Sequence, residues 1–499
     1  MALPTITLDA GDGRTIKLPT GLFIDNRFVP SVCGETLDVK NAASRGSLGY
    51  ISAAVAEDVD VAVASSSRAY QSKWRHVAAA GRRQLLLKLA DLIERDLDDF
   101  AAIESNDVGQ LYGTTKGMLG PMSVEWIRYF AGFADKMEGR SANWDDAGAP
   151  SGLSYTRREP YGVTAAIVPW NTPLMLTCWK IAPSIAAGNT LVIKPPELAP
   201  LSALKLAQLV IEAGFPPGVI NIIPGLGSTA GNALAHHIDV RKIAFTGSTA
   251  TGRMILEASA RSNLKKVSLE LGGKSPVIVF DDADFDQAVA WAAAGITAGE
   301  GQICAAGSRI YVQDTVYQKF LTAFSEKCKD AAFGNPLAAH TAKGPLISDD
   351  QREKVLGFIN RAQAKGIPLL HGGNRVGNSN GVENTAFFDV PANAEIIEQE
   401  IFGPVAAISK FSTEDEVIQR SNDSNYGLSA SVFTTNLSRA HRIAARLESG
   451  QVTVNGWGML APNMPFGGFK QSGFGRDGGA EALDDWTVVK AVKLVVPKL

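Results

Sequence analysis

Short β-branched apolar runs that alternate with helical stretches mark this chain as α/β. The expected fold is a doubly wound parallel sheet, then a second α/β unit, with a small β arm. Three features carry that reading. Five apolar runs lie between residues 163 and 271, separated by segments long enough for helices. The alternation starts again after Gly273. At or just after the end of each of the first five runs comes a glycine or a polar side chain, at the strand ends where open α/β sheets bind ligands.

In chain order, Leu85, Leu86, Leu89, Leu92 and Ile93 repeat at helical spacing and predict an amphipathic helix whose apolar face is core. VTAAIV (163 to 168), TLVIK (190 to 194), VINII (219 to 223), KIAFT (242 to 246) and KVSLEL (266 to 271) read as strands. Runs apolar on both faces belong to a parallel sheet covered by helices, joined by right-handed crossovers. VIVF (277 to 280), RIYV (309 to 312), VAAISKF (405 to 411), SASVFT (429 to 434) and QVTVN (451 to 455) supply the second unit. Two polar segments of period two, SYTRREP (154 to 160) and WTVVKAVKLVV (486 to 496), stand outside this scheme as an arm and a tail. The expected division is residues 1–140 with 161–272, then 273–480, with 141–160 and 481–499 as arm and tail.

A chain of 499 residues exceeds what one core serves, so two or more domains are expected. Forty-eight basic against 51 acidic residues, with no block of one sign, disfavour nucleic acid and charged membrane surfaces as partners. Cys33, Cys178, Cys304 and Cys328 are neither paired like a metal knuckle nor dense like a disulfide scaffold, which fits a reducing compartment and no metal. The N-terminus lacks the pattern of a secretory signal, and prolines interrupt the uncharged run Pro160 to Trp179, so a cytoplasmic protein is expected. The terminal Pro-Lys-Leu resembles a peroxisomal address in its last two residues, the alternative location.

The rim residues are chemically suggestive. Pro169-Trp170-Asn171 follows the first strand, Lys194-Pro195-Pro196-Glu197 the second, Pro224-Gly225 the third and Thr246-Gly247-Ser248 the fourth. Gly247 and Gly252 in FTGSTATG would let a phosphate approach the N-terminus of the next helix. Lys194 and Glu197 offer an ammonium and a carboxylate to a ribose diol. Glu270 closes a strand expected to be buried, where burial raises a carboxyl pKa towards general-base chemistry. Asn171 offers an amide donor or a helix cap. Cys304, in EGQICAAGSR, has no charged neighbour and by composition alone reads as apolar filler. Together with Glu270, Asn171 and a nucleotide cradle it forms a coherent set: a thiolate adds to an aldehyde, an N–H donor holds the oxyanion, hydride leaves to a nicotinamide, and the carboxylate activates water against the thioester.

Along almost its whole length the chain resembles the aldehyde dehydrogenase superfamily. VSLELGGKSP (267 to 276) is similar to that family's glutamate motif and GQICAAGSR (301 to 309) to its cysteine motif, 34 residues separating Glu270 from Cys304. PWN, KPPE, FTGSTATG, EIFGPV and PFGGFKQSGFGR follow the family's order. The resemblance implies Cys304 as nucleophile, Glu270 as general base, Asn171 with the Cys304 N–H as oxyanion hole, and Lys180 with Asp477 as an outer proton relay. It implies a cofactor set of Trp170, Lys194, Glu197, Gly225, Gly247, Ser248, Gly252, Gln351, Lys354, Glu400 and Phe402 for NAD, with NADP the alternative. Thr172, Met175, Trp179, Ile303, Leu460 and Phe466 would line the substrate pocket. A homodimer or homotetramer built by arm and tail is implied as well.

Three departures bear on this reading. Asp477 stands where glutamate is frequent, Gly299 where asparagine is usual, and Thr172 where phenylalanine or tyrosine is usual. Loss of that aromatic disfavours a cage for trimethylammonium and points to an uncharged aliphatic or aromatic aldehyde. A semialdehyde is the alternative substrate. A cofactor-free cysteine hydrolase, with Cys304 and one of six histidines, is the rival of another class, but it leaves the glycine turn and Lys194-Glu197 without a role.

Overall fold

A computed structural model describes residues 3–142, 152–329 and 332–495. The Pro-Lys-Leu terminus and residues 143–151 of the expected arm lie outside them. The first sheet has a parallel centre in the spatial order Lys266–Glu270, Lys242–Thr246, Val163–Ile167, Thr190–Lys194, Ile220–Ile222. These are the five expected runs. Val163–Ile167, Thr190–Lys194 and Lys242–Thr246 are buried at every position, as a sheet covered on both faces requires. Strand order reverses between Val163–Ile167 and Lys242–Thr246, so a crevice opens beyond their carboxyl ends.

The edges depart from an all-parallel expectation. Leu22–Ile24 pairs antiparallel with Ile220–Ile222 and is extended by Arg27–Val29, while Gly473–Phe474 pairs antiparallel with Lys266–Glu270. Strands of two or three residues carry no readable period, yet they cover both open edges of the parallel centre.

The second sheet runs Leu369–His371, Thr385–Phe387, Val405–Phe411, Arg309–Gln313, Pro276–Val279, Ser429–Phe433, Gln451–Val454, parallel except for its first member. All five expected strands are present, joined by two short ones that the sequence pattern did not signal. The polar period-two segments pair with each other: Gly152–Pro160 runs antiparallel to Thr487–Val495, from Gly152 against Val495 to Pro160 against Thr487.

The helix Ala79–Arg95 buries Leu86, Leu89, Leu92 and Ile93 into a core shared with Trp126, Phe130 and Trp179, with Leu85 at its border. Its apolar stripe is therefore structural. The helix Pro173–Ala187 is buried along its whole length, with proline in its first turn and Gly188 ending it at φ 93°. Among the described residues no helix is long and apolar enough to cross a membrane. The uncharged run from Pro160 splits into a strand end, a buried strand and this helix.

Candidate active site

The carboxyl ends of the first sheet and the loop carrying Cys304 face one another across a cleft of ≈ 460 Å³. Trp170, Asn171, Gly247, Ser248 and Glu270 reach it from one side, and Cys304, Gln351, Lys354, Glu400 and Phe402 from the other. Cys304 is partly exposed there, whereas Cys178 and Cys328 are buried. The filler reading thus fits those two and not Cys304.

Glycines in the two motifs are needed for close approach between them. A side chain at Gly273 would collide with the carbonyl of Cys304, and one at Gly272 with the carboxylate of Glu400. The Gly273 N–H instead donates to Glu400 Oε1 at 2.9 Å. Just before the cysteine, Gly299, Glu300 and Gly301 all have positive φ, 54°, 59° and 66°. Such a conformation is unfavourable for a glutamate and must be held in place. Glu300 is held by a buried ion pair with Lys343 and by the Gly344 N–H at 3.0 Å. Glu300→Gln is expected to lower stability by about 3 to 5 kcal/mol, because it strands the Lys343 ammonium in the interior; denaturant titration measures this.

Glu270 is 6 % exposed, and its Oε1 has no hydrogen-bond partner. Burial, then the Asp477 carboxylate, pushes its pKa well above the usual range, against the pull of Lys180 and Arg476. Thr246, its register partner on the next strand, also leaves a buried Oγ1 unpartnered. Two unsatisfied oxygens at adjacent strand ends in one cleft mark a place for a polar ligand. The Cys304 thiol is likewise pushed up, first by burial and then by Glu270 and Glu400, while the N–H groups of Ala305 and of Cys304 itself favour the thiolate. Asn171 does not cap the following helix. Its Nδ2 donates to the Gln302 carbonyl at 3.0 Å, which leaves one amide hydrogen for the cleft that Cys304 also lines.

Lys180 and Asp477, 297 residues apart in sequence, form an ion pair at 2.5 Å behind Glu270 rather than in the main cleft. Lys194 is 2 % exposed and holds the Glu197 carboxylate at 2.7 Å, so it is not a solvated loop residue. Neither of this pair lines the cleft. Gly225 does not line it either: a side chain there would meet the Ala54 backbone at 2.8 Å, which makes this glycine a packing requirement. Gly252 packs on Leu271, bringing the helix Thr249–Arg261 close to the sheet. The N–H of Gly247 goes to the Glu270 carbonyl at 3.0 Å and Ser248 caps Thr251 N at 3.2 Å, so the anion-binding capacity of this turn lies in the remaining first-turn N–H groups. With the Lys194–Glu197 pair at the rim and unpartnered oxygens at the strand ends, these residues fit a dinucleotide.

Gln351 donates to the Phe402 carbonyl at 2.8 Å, Phe402 has φ 59°, and its ring meets Trp170 edge-on at 5.2 Å. On the opposite side Thr172, Met175, Trp179, Ile303, Leu460 and Phe466 all line the cleft. Trp179 is stacked on Trp126 at 4.2 Å and meets Phe466 edge-on, forming a stiff apolar wall. Sequence reasoning missed Met118, Met122, Trp291, Trp457 and Met459. Trp457 matters most, since its Nε1 donates to the Ala305 carbonyl at 2.9 Å and fixes the residue next to the cysteine. The tryptophan in GWGML was a local signal; Met118 and Met122 had none.

Residues 28–492 match the model of the aldehyde dehydrogenase family. An aldehyde dehydrogenase of Emericella nidulans is 48% identical over 475 residues, covering 95% of each chain. The NAD+ complex of an aldehyde dehydrogenase from Bacillus cereus superposes with a TM-score of 0.94 at 40% identity, covering 96% of this chain and 97% of that one. An indole-3-acetaldehyde dehydrogenase of P. syringae, in complex with NAD+ and IAA, gives a TM-score of 0.94 at 38% identity over 98% of each chain.

Proposed function

Since this chain belongs to the aldehyde dehydrogenase family, we propose that Cys304 captures an uncharged aliphatic or aromatic aldehyde, and that Asn171 and Glu270 bring it to the carboxylic acid. The general activity is NAD-dependent aldehyde oxidation. One observation carries the residue assignment: a partly exposed thiol and an unsatisfied, buried carboxylate open into the same cleft.

Cys304 Sγ, as the thiolate left once its proton passes to water in the cleft, adds to the carbonyl carbon, and the carbonyl electron pair moves onto oxygen. The free hydrogen of Asn171 Nδ2 and the Cys304 N–H receive that oxyanion. NAD, when bound, supplies the acceptor for the hydride released as the oxyanion collapses. A thioester remains on Cys304. Glu270 then takes a proton from water as the water oxygen attacks the thioester carbon; the C–S bond breaks and the acid leaves. Lys194, Glu197, Gly247, Ser248, Gln351, Lys354, Glu400 and Phe402 hold the dinucleotide, and Lys180 with Asp477 exchange protons behind Glu270.

The apolar wall of Met175, Trp179, Ile303, Leu460 and Phe466 supports an uncharged substrate, and Thr172 leaves width where an aromatic ring would narrow the entrance. A panel of aldehydes with NAD, followed by reduced-nicotinamide absorbance, tests the function. Turnover of aliphatic and aromatic members above cationic ones is expected, and silence across the panel favours a cysteine hydrolase. Glu197 faces the ribose end and repels a 2′-phosphate. Glu197→Gln is expected to raise kcat/KM with NADP relative to NAD by roughly tenfold or more, measured by steady-state kinetics with each cofactor. Assembly as a homodimer or homotetramer is supported by the exposed Val488, Val489, Leu494 and Val495 on the arm sheet, and sedimentation checks it. A cytoplasmic location belongs to the same proposal.

A further inference from the structure

We propose that Lys242, acting through Ser268, takes up the proton that Glu270 passes into the small cavity shared with the Lys180–Asp477 pair, and relays it towards Asp485 and the exposed Lys266. The proposal rests on the reading of Glu270 as general base. It makes Lys242 a positioning and relay residue, not one that touches substrate.

The Lys242 side chain is fully buried, an unusual place for lysine. Its Nζ donates to Ser268 Oγ at 2.5 Å and lies 4.0 Å from the centroid of the Trp486 ring. Ser268 and Glu270 are two residues apart on one strand and so share a face, and Lys242 lies on the adjacent strand opposite Lys266, in the same alternation. Ser268, Glu270, Lys180, Gly475, Arg476 and Asp477 line a small cavity of ≈ 10 Å³, about the space of one water molecule. The route continues outward past Gly475, where φ is 88°. A Cβ at that position would lie 2.5 Å from Asp485 Oδ2 and 2.8 Å from the Cβ of Ser268, so the absence of a side chain keeps these two residues close. Asp485 accepts from the Arg476 N–H at 2.8 Å and lies 3.7 Å from Lys266 Nζ, whose side chain is 45% exposed. Ser268, Lys242, Asp485 and Lys266 thus lie in succession between the small cavity and solvent.

Burial lowers the Lys242 pKa to about 7, offset in part by Asp485 and Asp477 and reinforced by Lys180 and Lys266. Amine and ammonium therefore both exist near neutrality, as a relay needs. The Trp486 ring face stabilises the ammonium when it forms. The proton balance is simple. After hydrolysis Glu270 carries the proton taken from water, and gives it to a water in the small cavity. That water protonates Ser268 Oγ as the serine hydroxyl proton moves to the Lys242 amine, and the ammonium releases its proton on the Asp485 side. No electron pair changes owner beyond these O–H and N–H bonds.

The full-length enzyme, an aldehyde from the panel and NAD provide the test, with first-turnover and steady-state rates followed against pH. Ser268→Ala, Lys242→Met and Lys242→Arg are each expected to keep the first-turnover burst and the KM for NAD, to lose about tenfold in kcat, and to lose the inflection of kcat near neutrality. Arginine supplies a permanent cation but cannot give up its proton. Recovery of wild-type kcat and pH profile in Lys242→Arg overturns the proposal and leaves Lys242 a structural cation. An unchanged profile in Ser268→Ala also overturns it, and that variant alone decides the matter if the lysine variants fail to fold. Undiminished steady turnover in Glu270→Gln overturns the reading of Glu270 as general base, and this proposal with it.

Discussion

Cys304→Ala is expected to abolish aldehyde oxidation, by at least about 10⁴-fold in kcat/KM, while leaving NAD affinity within a factor of two. The loss is large because no second thiol reaches the cleft: Cys178 and Cys328 are buried elsewhere and Cys33 is on the surface. NAD affinity should survive because Lys194, Glu197 and the Ser248 helix turn do not depend on the sulfur. Stopped-flow absorbance of reduced nicotinamide reads the first effect, and quenching of tryptophan fluorescence by NAD reads the second. The sign of the pH dependence follows from the environment of the thiol. Burial and two carboxylates raise its pKa, so the reactive thiolate accumulates as pH rises, and wild-type kcat/KM should climb on the alkaline side of neutrality. A residual first-turnover burst in the alanine variant would remove Cys304 from the nucleophile role.

Glu270→Gln separates the two halves of the reaction. Its thioester should form, giving a burst of about one equivalent per site, and then persist, with steady turnover lower by about 10² to 10⁴-fold. Intact-protein mass spectrometry should show the acyl group retained on the chain, at Cys304 after digestion. The Glu270 pKa is raised, chiefly by burial, so its carboxylate, like the thiolate, increases as pH rises. Wild-type kcat should therefore increase with pH, and the glutamine variant should lack that limb. Undiminished steady turnover would show that another group activates water. A variant that gives no burst would mean that Glu270 is needed to ionise Cys304 as well, which its position in the same cleft allows.

Much of the fold was legible because its central strands are dominated by one force. A strand buried on both faces must be apolar throughout, so VTAAIV, TLVIK and KIAFT stand out from any neighbour. The edge strands Leu22–Ile24 and Gly473–Phe474 obey no such constraint, being too short to show a period, and they were invisible. The arm and tail were legible as strands from their alternation, but their partnership with each other was not, because pairing at a separation of more than 300 residues leaves no local mark.

Site residues divide in the same way. Glu270 and Asn171 were legible because they are polar residues at the ends of apolar strands, whereas Cys304, which by composition alone reads as filler, was legible only through its motif. Gly225 looked like part of a nucleotide turn, and only the fold shows that Ala54 comes too close for a side chain there. Lys242 looked like an ordinary strand terminus. Its burial beneath Trp486 depends on a residue 244 positions later, and only the folded chain brings the two within 4.0 Å.

The amino-acid order alone determined the class of fold, the succession of its central strands and the chemical types of residue gathered at their ends. These depend on local patterning and on chemical type, both of which a linear string preserves. Tertiary structure decided what each group experiences: which thiol sees solvent, which carboxylate is stripped of partners, which lysine is driven towards neutrality. Burial and distance are sums over residues from every part of the chain, and no local stretch contains them.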